Sequence, residues 1–175
     1  MIDFVYILTN QPHKMSLRDR YALKMLFFNE PPPSVYADAV LPDPIMVLYA
    51  PFANHHTALS QEFTPWAPGP GELHFECEFI TDGAAGGSSN RHVFKPAYYD
   101  ELPAFLEQTV PIRLVGFEQL KISPNPGNYI FQVTGYLLRE GMDPVALKSI
   151  SSGPIEVLSK VSDYRRATYL SSGRG

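Results

Sequence analysis

Seventeen prolines and twelve glycines are spread through this chain, and that punctuation constrains its fold more than any other feature. Proline fixes its own φ and has no N–H to give, so it breaks helix interiors and central strands alike. A helix bundle is therefore disfavoured, and the expectation is a set of short strands joined by turns. The 175 residues suffice for one domain with a substantial core. Hydrophobic residues make up 45% and charged residues 18%, the balance of a chain that folds.

The strands can be read from pattern. Phe4 to Thr9 is β-branched and aromatic and ends at Asn10-Gln11-Pro12, a strand closed by a turn. Residues 16–28 are ambiguous. Ser16 and Asp19 resemble a capping box, and Leu17, Tyr21, Lys24, Met25 and Phe28 fall at helical spacing, yet Phe27-Phe28 could open a strand. Pro31-Pro32-Pro33 imposes an extended segment. Ile45 to Tyr49 reads as a strand between Pro44 and Pro51, and Ala53 to Gly71 as a long turn-rich stretch around Trp66. Glu72 to Ile80 alternates polar and apolar, which puts Leu73, Phe75, Cys77 and Phe79 inside and His74, Glu76 and Glu78 in solvent.

Asp82 to Asn90 reads as a loop, and Tyr98 to Gln108 as a short helix interrupted by Pro103. Ile112–Phe117, Tyr129–Leu138, Val145–Ile150 and Pro154–Leu158 supply further strands. Gly135 marks a bulge or a close packing point. Tyr129 follows a Pro-Gly turn, the place from which a tyrosine packs across the corner of a sandwich. Residues 159–172 suit a final helix. The whole pattern is mainly β, a β-sandwich of the immunoglobulin-like type with one or two short helices, in a single domain over residues 1–171 with a disordered tail at 172–175.

Few residues offer chemistry. One cysteine, Cys77, leaves no internal disulfide and no Cys-pair zinc site, and a reducing intracellular compartment is the simplest reading. No apolar run approaches the ~20 residues of a membrane span, and no basic region precedes an apolar stretch at the N-terminus. His55 and His56 point to opposite sides of an extended chain and suit a shared metal ion poorly, even with Glu62 near in sequence. His74 and Cys77 fall on opposite strand faces, which disfavours a Cys-His pair. Glu76 and Glu78 stand ~7 Å apart on one face, a spacing used in glycoside hydrolysis, but no sugar cleft is evident around them. No nucleophile elbow and no His-Glu-x-x-His occur. The expectation is a protein that is not an enzyme and takes no metal, cofactor or small-molecule substrate.

The net charge of −4 is unevenly spread. Residues 1–25 carry four basic and two acidic side chains, residues 26–138 four and twelve, and residues 139–175 six and four. The middle repels a polyanion and the ends can attract one.

The order of features resembles the velvet domain of fungal developmental regulators. Ile7 and Leu8 lead to Gln11-Pro12, the cations Lys14, Arg18 and Arg20 follow, and then come Pro31-Pro32-Pro33 and Val35. Pro44 to Ala50 looks like the family's strand ending in Tyr-Ala. Phe117, Leu120, Gly127, Tyr129, Phe131 and Val133 match its Phe-x-x-Leu, Gly-x-Tyr and long strand. Ser152, Pro154, Ile155, Val157, Ser159, Lys160, Thr168 and Leu170 are similar to its end. The resemblance spans roughly residues 5 to 171 in gapped form. It implies a Rel-like sandwich, a transcriptional regulator of nucleus and cytoplasm, and homo- or heterodimerisation with a velvet partner. It also implies DNA binding through the loop after the first strand. Lys14, Arg18, Arg20 and Lys24 are the candidate DNA contacts, with Arg165 and Arg166 as supporting phosphate contacts. The alternative is a non-enzymatic interaction or structural sandwich subunit, of a viral or bacterial assembly for example, that binds no DNA.

Overall fold

The computed structural model describes residues 17–57, 60–81, 92–101, 112–123 and 125–159. They form one helical turn, α1 (Leu17–Arg20), and the strands β1 (Tyr21–Phe27), β2 (Ser34–Tyr36), β3 (Ile45–Thr57), β4 (Ser60–Pro65), β5 (Leu73–Thr81), β6 (His92–Phe94), β7 (Tyr98–Glu101), β8 (Arg113–Phe117), β9 (Gly127–Leu137), β10 (Val145–Ser151) and β11 (Ile155–Leu158). The chain is mainly β, as its proline spacing requires. One sheet runs β1-β3-β8-β7, with β4 also on β3; the other runs β2-β11-β9-β5-β6, with β10 also on β9. Among the described strands the β2–β11 pair is parallel and the others are antiparallel.

Alternation places the core between the sheets. Leu23, Ile45, Val47, Tyr49, Val115 and Phe117 come from the first sheet, and Phe75, Cys77, Phe79, Phe131, Val133, Ile155 and Val157 from the second. Four phenylalanines, Phe75, Phe79, Phe117 and Phe131, are fully buried. Fully burying one such side chain stabilises by roughly 1.5–3 kcal/mol, so these four rings alone rival the net stability of an ordinary domain. The Phe79 ring stacks on Tyr129 at 4.7 Å and tilts on Phe131 at 4.6 Å.

Two local devices fix the packing. A β-carbon on Gly135 of β9 would overlap Leu23 Cδ2 and meet Phe75 Cε1 at 3.0 Å, so the Leu23 side chain of β1 fills the space a larger residue would need there. The β9–β10 register also shifts between Ala146 and Lys148, beside Gly135. Of the two readings of Gly135 the close contact holds, and the extra residue of the irregularity is Leu147 on β10 opposite it. At the other end of β9, Tyr129 closes the corner. Its hydroxyl donates to the Asn125 carbonyl at 3.0 Å and lies 3.2 Å from Ser123 Oγ, which accepts from the Asn125 N–H at 3.2 Å. The ring of bonds satisfies a Ser123 that is wholly buried.

The open reading of residues 16–28 resolves as one helical turn followed by a strand, with Leu23, Met25 and Phe27 facing the core at even spacing. Three expectations need correction. Ala53 to Pro65 is mostly a long hairpin, β3 and β4, rather than turns. Pro51 does not stop β3: its carbonyl accepts from Trp66 N at 3.0 Å, and only the return bond to Trp66 is lost, at the point where β3 passes from β8 to β4. Tyr98 to Glu101 is strand, not helix, paired with β8. The strand read at residues 4–9, the loop at 82–90 and, but for Ser159, the helix at 159–172 lie outside the described residues.

Gly135→Ala should lower the unfolding free energy by about 1–3 kcal/mol, the usual cost of forcing a methyl group into a filled core. Denaturant unfolding checks this, with a shifted midpoint and an unchanged m-value expected; an unaltered midpoint would contradict the close approach.

Candidate functional site

The edges of the two sheets meet where β1 packs on β10, and α1 caps this seam by touching β1, β3 and β10. Tyr21 anchors it. Its ring lies 4.5 Å from Trp66, and the Arg139 guanidinium stands 5.1 Å above it on the far end of β9's hairpin. Arg139 Nη2 donates to the Tyr21 hydroxyl at 2.6 Å and sits 3.7 Å from Glu72 Oε1. Glu72 in turn accepts from the Gly69 N–H at 2.6 Å, which stiffens the proline–glycine turn before β5.

The structure separates the candidate cations. Lys14, Arg165 and Arg166 lie outside the described residues, and so does the side chain of Arg18, whose backbone belongs to α1. Arg20 is exposed at the end of α1. Lys24 is exposed too, but on the outer face of β1, with its ammonium 5.2 Å over the Phe52 ring. Sequence reading missed Lys148, exposed on the strand that α1 packs against. That adjacency comes from a tertiary contact between segments more than a hundred residues apart, and no local pattern carries it.

The other constellations resolve as follows. The β3–β4 register puts His55 opposite Glu62 and His56 opposite Gln61, so the two histidines belong to opposite faces. His74 is exposed and Cys77 is buried, also on opposite faces. Burial pushes the Cys77 thiol well above its ordinary pKa, and the neighbouring Glu78 carboxylate adds to the shift. Glu76 accepts from Lys95 Nζ at 2.7 Å, and that bond raises the lysine's pKa. Glu78 departs from expectation: it is buried, between Val93 and Gln132 in the register, rather than solvated. Among the described residues no group of three or more His, Cys, Asp or Glu could hold a metal ion, and no helix is long and apolar enough to cross a membrane.

A cleft of about 600 Å³ opens at one end of the sandwich, between Tyr49, Leu73, His74, Tyr99, Arg113 and the Pro68–Gly71 turn. Burial raises the Tyr99 pKa, partly offset by a hydrogen bond with the Phe75 backbone and by Lys95. Neither serine nor cysteine lines this cleft.

No family model matches the chain, and no curated protein matches it. A solved structure concerned with fibronectin binding and biofilm formation by AAF fimbriae of enteroaggregative Escherichia coli aligns with 79% of this chain and 99% of its own. The identity is 14% and the TM-score 0.27, an overlap too loose to carry any argument.

Cys77 should resist a thiol reagent at neutral pH in the folded chain, because a desolvated thiol yields little thiolate. Full labelling is expected only once denaturant opens β5. Rapid labelling of the native protein would mean that β5 is not packed as described.

Proposed function

We propose that the chain is the binding domain of a velvet-like transcriptional regulator, a non-enzymatic sandwich of the Rel-like type that meets DNA beside α1 and works with a velvet-type partner. The observation that carries this reading is the exposed Arg20 on α1, packed against the strand that exposes Lys148. Lys14 and Arg18 stand just before it in the sequence, so the segment is cationic while residues 26–138 are strongly acidic. Backbone phosphates are held by such cations, and so small a set gives modest, salt-sensitive binding that a second copy or partner doubles. Lys24 drops out of the set because its ammonium covers Phe52 on the sheet face. The corner bond of Tyr129 supports the immunoglobulin-like arrangement. Nuclear and cytoplasmic residence goes with this role.

A second reading, an interaction module that binds no DNA, is favoured by the exposed apolar side chains Leu26 and Phe28.

Fluorescence anisotropy with a labelled duplex at low salt tests the proposal. Arg20→Glu should weaken binding about tenfold or more and lower the salt slope by about one, the loss of one phosphate contact. Duplex binding that survives the change unaltered would remove Arg20 from the interface. A chain that binds no duplex, alone or with a velvet-type partner, would leave the second reading.

A further inference from the structure

Three aromatic rings form one wall at the end of the sandwich where the cleft opens. The Phe75 ring lies 4.5 Å from Tyr49 and 6.2 Å from Tyr99. The register explains the grouping. Arg113 stands opposite Tyr49 of β3, and Tyr99 of β7 stands opposite Val115, so Tyr49, Arg113 and Tyr99 share the inner face of the first sheet. Along β8 that face reads Arg113, Val115, Phe117. The last two are core residues, and Arg113 takes the inward position where the core opens into the cleft. Burial disfavours a charge, and inward positions of a sandwich are ordinarily apolar.

The lining is rich in side-chain donors and holds no anionic acceptor. Arg113 already has contacts within the chain, and a guanidinium with five N–H donors can hold a ligand alongside them. Tyr99 accepts from the Phe75 backbone N–H, the direction that favours an ionised phenol, and so keeps its own O–H to donate. His74 stands exposed at the rim. Among the described lining residues none is acidic, although residues 26–138 carry twelve acidic side chains against four basic. Arg113 is one of those four, so the cleft is a cationic spot in an acidic region, a setting that draws anions.

The walls decide what kind of anion. Tyr49, Tyr99, Leu73 and the two prolines of the turn are aromatic or apolar, and an ion with no apolar part would lose hydration against them. Tyr99 is 49% exposed, which leaves room for a further ring beside it. Such a ring would extend the series from Tyr49 through Phe75 to Tyr99 at the spacing aromatic pairs adopt, about 4.5–7 Å. A carboxylate on the same molecule matches the planar fork of Arg113. A cleft of about 600 Å³ lies within the range of small-molecule sites.

We propose that this cleft binds a small aromatic carboxylate, with its ring against Tyr99 and its carboxylate on Arg113. The site goes beyond the reading above and needs no nucleic acid, so either can fail alone.

Amide NMR of the isotope-labelled full chain, titrated with N-acetyl-phenylalanine to about 10 mM, tests it. Saturable shifts of the Leu73, His74, Tyr99 and Arg113 amides are expected. N-acetyl-phenylalaninamide, the same shape without the charge, should bind about tenfold or more weakly, and so should inorganic phosphate, which lacks the ring. This comparison needs no variant. Arg113→Gln, with the native spectrum kept, should weaken N-acetyl-phenylalanine about tenfold, and Tyr99→Ala on the edge strand should weaken it about fivefold. No saturable shift over that range overturns the proposal. So does an amide or a phosphate that binds as tightly as the acid, or a set of shifts that saturates away from the cleft.

Discussion

The contact of Leu23 with the backbone of Gly135 governs the rest of the molecule. It sets the Leu23 side chain of the first sheet against β9 of the second, and it leaves no space for a side chain at Gly135. Once Leu23 points inward, strand geometry sends Lys24 and Leu26 outward. β1 also meets β10, and α1 touches β1, β3 and β10 at that seam.

The opposite end of β9 is held by polar bonds rather than by a tight apolar contact. Tyr129, Ser123 and Asn125 bond in a ring that leaves no buried hydroxyl unmatched. The outer side of the second sheet carries exposed His74 and half-buried Glu76 and Gln132 beside buried Glu78 and Thr134 and exposed Val93. The outer side of the first carries exposed Lys24 and Leu26 on β1 and half-buried Met46, Leu48 and Phe52 on β3.

Much of the fold was legible in the sequence because alternation is a local property. β5 and β9 came directly from period-two patterns, and Gly135 and Tyr129 were singled out by their places in a strand and after a turn. What failed was local punctuation read without its neighbours. Pro51 looked like a strand end, yet its missing N–H falls where β3 changes partners. Tyr98 and Tyr99 looked helical before Pro103, yet they pair with β8, and the Tyr98 ring covers Gly116. The site was less legible. Alternation placed Glu78 on the outer face but could not show that neighbouring strands bury it. Lys14, Arg18, Arg20 and Lys24 were grouped by nearness in sequence, while Lys148 lies on a strand that α1 meets across the fold and the Lys24 ammonium stands over the ring of Phe52.

The most direct test of the central claim is a nuclear Overhauser measurement between the Leu23 δ-methyl protons and the Gly135 α-protons. Strong cross-peaks, with the Leu23 methyls also close to the Phe75 ring, are expected if β1 lies against β9. Their absence, with the Leu23 methyls in contact with solvent, would mean that β1 does not close the sandwich and that the seam with α1 and the outer face are not where they are placed here.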